Sequence, residues 1–136
     1  MSQERRPSNG RAGLLLTTGI VSLTMMTAFV HLGLGDVLFL LNGLGYIGLA
    51  VLIIVGYAAP HPLVVRFDWF PRLALMGYAG ATIVGYLIIG PYSTLGWATK
   101  AVEVGLIVLL AVDVIRAYGS PRAVVRQMIA SVVGRT

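Results

Sequence analysis

The chain contains four long apolar stretches separated by short connections. They are 12–34, 37–59, 73–91 and 94–115, and each is about as long as the ~20 helical residues that cross the hydrocarbon core of a bilayer. Continuous apolar runs favour helices over the alternating pattern of a membrane barrel, and only these two structures satisfy backbone hydrogen bonds in lipid. The sequence therefore predicts an all-α membrane protein with four transmembrane helices in an up-down-up-down bundle.

The composition agrees with an integral membrane protein. Of the 136 residues, 57% are hydrophobic and only 11% are charged, whereas about a quarter of the residues of a soluble domain are charged. The chain has no cysteine, which excludes disulfides, thiolate metal sites and a cysteine nucleophile. The first apolar stretch is too long for the apolar core of a secretory signal, so we expect it to be retained.

The arginines predict how the chain is oriented. They lie before the first stretch, between the second and third, and after the fourth, whereas the other two connections hold no lysine or arginine. Because cytoplasmic loops are enriched in these residues, both termini are predicted to be cytoplasmic, in a bacterial-type cytoplasmic membrane. The arginines in question are Arg5, Arg6, Arg11, Arg66, Arg72, Arg116, Arg122, Arg126 and Arg135.

Three regions follow from this map. Residues 1–11 are predicted to form a basic cytoplasmic tail, 12–118 the transmembrane domain, and 119–136 an amphipathic segment on the cytoplasmic surface. In the last segment, Ser120-Pro121 can begin a new helix. The net charge of +5 suits a bilayer with anionic headgroups, and no basic stripe of a nucleic-acid-binding protein is present.

Several polar residues are predicted to lie together in the outer half of the bilayer. A charged side chain there costs roughly a few kcal/mol when unpaired, so it normally faces the bundle or a wet cavity. Lys100 and Glu103 are i, i+3 neighbours, which predicts either a self-satisfied ion pair or a polar pocket. In a pocket, Glu103 would carry or relay a proton and Lys100 would hold an anionic group. The candidate pocket residues are Lys100, Glu103, His31, Asn42, Tyr86 and Thr27.

The first stretch carries polar residues at helical spacing. Thr24 and Thr27 lie seven and four residues before His31, so the three share one helical face. Threonines at such positions commonly make interhelical hydrogen bonds, and the same role is predicted for Asn42. For His31 two interpretations stay open. It is either bonded to a carbonyl or to Asp36, or it exchanges protons or binds a tetrapyrrole metal as a single axial ligand.

The remaining motifs carry no chemistry of their own. Asp113 and Arg116 are also i, i+3 neighbours, which predicts an ion pair at the inner end of the fourth stretch. The other histidine, His61, falls on the opposite side of the membrane, so no bis-histidine haem site is expected. The Gly-x-Gly-x-x-Gly pattern at 43–48 lacks the preceding strand of a dinucleotide site. We expect neither an enzyme site nor a metal cluster.

Three segments together resemble an uncharacterised family of small four-helix membrane proteins found in prokaryotes. They are LFLLNGLGYIGL at 38–49, YLIIGP at 86–91 and TKAVE at 99–103. The resemblance implies the four-helix fold, and it implies no function because the family carries no established activity. It draws attention to Asn42, Lys100 and Glu103.

The sequence leaves three functions open. The leading hypothesis is a non-catalytic accessory subunit of a larger membrane assembly that handles electrons, light or protons, because the extramembrane regions are small and glycines smooth the helix faces. Its partner would be another membrane protein or a second copy of this chain. The second is a small transporter or proton-coupled binding protein that uses the outer polar pocket. The third is a pigment- or quinone-binding protein with His31 as ligand, in which a lipid, quinone or tetrapyrrole would be bound. The small residues that smooth the helix faces in the first hypothesis are Gly43, Gly45, Gly48, Gly77, Ala81 and Gly85.

Overall fold

A computed structural model describes residues 10–134, and these residues form helices and no strand. The four long helices are α1 (Arg11–Gly33), α2 (Val37–Ala58), α4 (Trp69–Ile89) and α5 (Thr94–Tyr118). Two short helices, α3 (Pro62–Arg66) and α6 (Pro121–Val133), follow α2 and α5. The prediction of an all-helical protein is confirmed, and α3 lies where the sequence predicts only a connection. Most of the basic tail and Arg135 lie outside the described residues.

Local sequence fixes where the helices begin and end. Asp36 accepts a hydrogen bond of 2.9 Å from a backbone N–H in the first turn of α2, and Ser93 accepts one of 3.0 Å in the first turn of α5. These caps satisfy donors that a helix start leaves free. Gly119, between α5 and α6, has a φ of +81°, a conformation that favours glycine. Pro121 then opens α6, where its missing N–H costs nothing.

Three helices in the described part of the chain are long and apolar enough to cross a membrane, namely α1, α2 and α4. Three of the four predicted helices therefore have the length and apolar character that a membrane crossing requires. Helix α5 is also long, with 25 residues, but it is not among the three. It differs because it carries Lys100, Glu103, Asp113 and Arg116.

The long helices pack around a shared core. Helix α1 contacts α2 and α5, and α4 contacts α5 and α2. Many large apolar side chains point outward instead, as Phe29 and Ile89 do at 79% and 80% exposure. A surface this apolar suits contact with lipid rather than with water. The fully buried apolar side chains include Ile20, Ala28, Tyr46, Leu75, Ala79, Leu106 and Leu110.

An ion-pair network joins α4 to α5 at the end near α6. Arg72 Nε lies 2.7 Å from Asp113 Oδ2, and Arg72 also donates to the backbone carbonyl of Asp68 at 2.7 Å. The Tyr118 hydroxyl donates to the Asp68 carboxylate. The predicted Asp113–Arg116 pair is wrong, because Asp113 faces the bundle, where Arg72 is available, whereas Arg116 is exposed.

Helix α6 is attached to the same end of the bundle through Ser131. The Arg66 guanidinium donates to the Ser131 carbonyl oxygen at 2.9 Å, and the Trp69 indole donates to the Ser131 hydroxyl at 2.9 Å. Ser131 is buried, while Val125 and Ile129 are exposed. The helix therefore docks through Ser131 together with the buried Val124, and it leaves other apolar side chains on its outer surface.

The Arg72–Asp113 pair predicts a large cost for removing one partner. In Arg72→Met the Asp113 carboxylate loses its partner in a buried site, so we expect the free energy of unfolding to fall by about 3–5 kcal/mol. Arg116→Met removes an exposed charge three residues after Asp113 on α5. This variant should change the free energy of unfolding by less than about 0.5 kcal/mol. Unfolding curves in mixed detergent micelles measure the free energy of unfolding of both variants. Equal losses in the two variants would contradict the pairing.

Candidate functional site

A groove of about 540 Å³ opens between the ends of the four long helices. Its walls come from the last turn of α1, the first turns of α2, the last turns of α4 and the first turns of α5. Most of the lining is apolar, with Leu34, Leu38 and Ile89 as examples. The volume falls within the roughly 300–1,000 Å³ typical of small-molecule sites.

The groove gathers most of the candidate pocket residues. His31, Asn42, Tyr86 and Lys100 all line it, although they come from four different helices. Glu103 is fully buried and contacts Lys100 at the floor of the groove. Their meeting follows from the apolar stretches, which place these residues at similar distances from the same end of the bundle.

Thr27 does not line the groove. It borders a separate cavity of about 70 Å³ between α1 and α5, and its hydroxyl has no hydrogen-bond partner among the described residues. Four residues along a helix turn the side chain by about 40°, which suffices to place Thr27 and His31 in different cavities. The structure thus places Thr27 beside the groove, in a neighbouring cavity that shares Val30, Leu95 and Thr99 with it.

The Glu103 carboxylate is the centre of the polar network. Its Oε2 lies 2.5 Å from Lys100 Nζ and accepts a hydrogen bond of 2.9 Å from the Thr82 hydroxyl. Its Oε1 accepts a hydrogen bond of 3.1 Å from the Tyr46 hydroxyl. Both oxygens are thus satisfied, as burial of a charged group requires. The network ties α2, α4 and α5 together, and it contains the i, i+3 pair that the sequence predicts.

Lys100 lies between the carboxylate and the groove. Its Nζ is 5.7 Å from the centre of the Tyr86 ring, and its side chain is 10% exposed. An ammonium group has three N–H donors, and Glu103 accepts from one of them. Lys100 can therefore donate to a molecule in the groove without leaving Glu103.

His31 presents one ring nitrogen as an acceptor. Its Nδ1 lies 2.8 Å from the Thr27 carbonyl oxygen, and a carbonyl only accepts, so Nδ1 carries the hydrogen. In the neutral ring, Nε2 is then the acceptor. The ring packs 6.0 Å from Phe39 and 5.6 Å from Tyr46 between ring centres. The bond to a carbonyl is one of the interpretations that the sequence leaves open, whereas Asp36 caps α2 instead.

Three further residues that the sequence did not single out belong to the site. Tyr78 and Thr82 line the groove, and Tyr46 packs edge-on against Tyr78 with ring centres 4.8 Å apart. The Tyr78 hydroxyl donates to the backbone carbonyl of Asn42 at 3.1 Å. Asn42, which lines the groove, thus joins α2 to α4 through its main chain. In the sequence, the only feature that distinguishes Tyr46, Tyr78 and Thr82 is a hydroxyl group within an apolar stretch.

An apolar layer separates this site from the ion pair at the other end of α5. Glu103 and Asp113 are ten residues apart, which corresponds to about 15 Å along a helix. Leu106 and Leu110 lie between them and are fully buried. The polar network of the groove therefore ends within the core.

No family model matches this chain, and neither does any curated protein or solved structure. The resemblance to a prokaryotic family stays a prediction.

Alanine substitutions at two glycines of α2 test the packing beside the groove. A Cβ at Gly45 would collide with the Tyr78 hydroxyl, whereas one at Gly48 would meet nothing within 4 Å. We expect Gly45→Ala to displace Tyr78 from Asn42 and to lower the free energy of unfolding by about 1–3 kcal/mol. Gly48→Ala should leave it unchanged or raise it by up to about 1 kcal/mol, because alanine favours the helix.

Parallel unfolding curves in detergent micelles compare the two alanine variants directly. The outcome that would refute this packing is a Gly45→Ala protein as stable as the Gly48→Ala protein.

Proposed function

We propose that this protein is a multi-pass membrane protein that binds a small lipid-soluble molecule in the groove. The observation that supports this most strongly is the groove itself, about 540 Å³ of largely apolar surface with Lys100 and His31 on its wall. Sites for small molecules usually combine an apolar cavity with a few placed polar groups. The apolar part provides contact area, and the polar groups select the molecule.

The apolar layer beneath Glu103 favours binding over transport. A proton or solute carrier needs polar groups or water along its path through the membrane. Here Leu106 and Leu110, both fully buried, follow directly below Glu103. We therefore assign the outer polar residues to recognition of a bound molecule.

We further propose that α5 crosses the membrane and completes an up-down-up-down bundle of four helices. Its buried charges have partners, Glu103 with Lys100 at 2.5 Å and Asp113 with Arg72 at 2.7 Å. Pairing within the bundle lowers the cost of charge in the bilayer. Helix α5 also contacts both α1 and α4, which gives it protein neighbours on two sides. In this proposal both termini are cytoplasmic, which the arginine distribution supports.

Cysteine labelling tests this topology, because the chain has no native cysteine. Thr94→Cys, at the start of α5, should react with a membrane-impermeant maleimide in intact cells. Arg122→Cys, beyond α5, should react only after permeabilisation, since one crossing separates the two positions. Both positions are exposed, so access to the reagent depends on the membrane alone. Reaction of both from the same side would show that α5 does not cross.

A second candidate, a non-catalytic accessory subunit, is favoured by glycines on the outer faces of α2 and α4. A Cβ at Gly48, Gly56, Gly77 or Gly80 would meet nothing within 4 Å. Small residues allow another helix to approach closely within lipid. These faces would then contact a partner subunit in a larger membrane assembly.

A third candidate is a pigment protein with His31 as the single axial ligand of a tetrapyrrole. The Nδ1 contact to the Thr27 carbonyl, 2.8 Å long, is the arrangement that orients many metal-binding histidines. It would leave Nε2 for the metal. Among the described residues, no group of three or more histidine and carboxylate side chains surrounds a common point, so His31 would act alone.

Filling the groove should abolish binding. Gly85 lines the groove, and a Cβ there would meet nothing within 4 Å, so Gly85→Leu should occupy the ligand's space without distorting the helix. Native mass spectrometry of gently extracted protein should show a bound small molecule on the parent and none on Gly85→Leu. Gly77→Leu, eight residues earlier on α4 and outside the groove lining, should keep it.

The same spectra separate the candidates. A small molecule that persists on Gly85→Leu would exclude the groove as its site. A partner polypeptide that is lost from Gly77→Leu and not from Gly85→Leu would favour the accessory subunit, and a tetrapyrrole mass would favour the pigment protein.

A further inference from the structure

The charge at the groove floor is balanced before any ligand binds. Lys100 and Glu103 lie 2.5 Å apart, and the second oxygen of Glu103 already accepts from Tyr46. Among the described residues that line the groove, Lys100 is the only lysine and no arginine, aspartate or glutamate occurs. An added carboxylate or ammonium would bring an unbalanced charge into a low-dielectric site, which is unfavourable. The site therefore favours a neutral head group.

The groove wall offers hydrogen bonds of both kinds. Lys100 donates, and Asn42 carries an amide that can donate and accept. His31 Nε2 accepts, because Nδ1 is committed to the Thr27 carbonyl at 2.8 Å. A head group with a carbonyl or hydroxyl oxygen can accept from Lys100, and one with a hydroxyl can also donate to His31.

Three aromatic side chains lie among the mainly aliphatic residues that line the groove with these polar groups. Phe39, Tyr78 and Tyr86 all line the groove. Planar rings pack favourably against aromatic side chains in offset or edge-on arrangements. A flat ring that carries the oxygen atoms fits this wall better than a branched glyceride head, while an alkyl tail can contact Leu34 and Leu38.

We infer that the groove binds a lipid-soluble molecule of the quinone class, in either its quinone or its quinol form. Lys100 donates to a ring oxygen in both forms, and His31 Nε2 accepts from the hydroxyl of the quinol. This inference rests on the proposed binding function and adds the chemistry of the ligand to it. It also replaces the sequence-based expectation that Lys100 holds an anionic group.

The two tryptophans of the chain provide an internal probe for this ligand. Trp97 packs against Tyr86 with ring centres 5.4 Å apart, and Tyr86 lines the groove. Trp69 lies at the other end, where its indole donates to Ser131. A quinone in the groove should therefore quench Trp97 and leave Trp69 unaffected.

The experiment titrates decylubiquinone into the purified protein in nanodiscs. We expect saturable fluorescence quenching in Trp69→Phe and little quenching in Trp97→Phe. Lys100→Met should raise the Kd about ten-fold or more, as expected for the loss of a charged hydrogen-bond donor. Dodecanoate and dodecylamine, with similar tails and charged heads, should not displace the quinone.

Variants at His31 test the two redox forms separately. His31→Leu should weaken binding of decylubiquinol about five-fold, the cost of one ordinary hydrogen bond, and should affect decylubiquinone less. His31→Gln keeps an acceptor and should restore part of the loss. If Lys100→Met fails to fold, as judged by circular dichroism and its unfolding curve, the His31 series still decides the ligand class.

The results distinguish this inference from the proposed function. Displacement of the quinone by dodecanoate, or binding of dodecanoate alone, would overturn the quinone assignment and leave groove binding intact. Absence of saturable quenching in Trp69→Phe would also overturn the assignment. Groove binding itself is judged independently by the native masses of Gly85→Leu and Gly77→Leu.

Discussion

The structure depends on the burial of one carboxylate, that of Glu103. A fully buried charge is tolerated only when its oxygens are paired and hydrogen-bonded. Here the partners come from three helices, with Tyr46 on α2, Thr82 on α4 and Lys100 on α5. Each hydrogen bond contributes modestly, but loss of any one leaves a polar group unsatisfied in an apolar interior. The positions of α2, α4 and α5 along one another are therefore fixed by this group, and so is the place of Lys100 at the groove.

Each end of α5 carries a buried carboxylate that needs a cationic partner, and the two partners differ in what they leave free. At the α6 end, Arg72 satisfies Asp113 and the backbone of Asp68 together, and the network closes on itself. At the groove end, Lys100 satisfies Glu103 with one of its donors and keeps others for a further partner. The first arrangement is structural, whereas the second leaves a polar group directed at an open cavity. This difference is why we assign function to one buried ion pair and only stability to the other.

The sequence predicts that polar residues from several helices lie near one end of the bundle, because the position along a helix follows from the length of its apolar stretch. His31, Asn42 and Lys100 were each placed by counting residues from the end of a helix, and they do line one groove. Sequence spacing reveals only partners that are close along the chain. It therefore predicts the Lys100–Glu103 pair but not the pairing of Asp113 with Arg72, which lies forty-one residues away. The direction of an uncharged hydroxyl is also invisible, since an apolar helix has no polar face to orient it. For that reason the sequence does not distinguish Tyr46 and Thr82 from other residues of their apolar stretches. Helix α3 was missed because five residues are too few to show a period.

The route by which a ligand reaches the groove also bears on its selectivity. Leu38 and Ile89 line the groove and are 68% and 80% exposed, so the cavity is continuous with the apolar surface of the bundle. A molecule that arrives from lipid leaves an apolar solvent, and burying its tail among leucines gains little from the hydrophobic effect. The free energy of binding must then come mainly from packing and from the polar head. Sites built around hydrogen bonds reject analogues that lack the matching group far more strongly than apolar walls reject analogues of different length. For the binding function proposed above, selectivity would therefore depend on Lys100 and His31, and the apolar walls would set only the class of molecule that can enter.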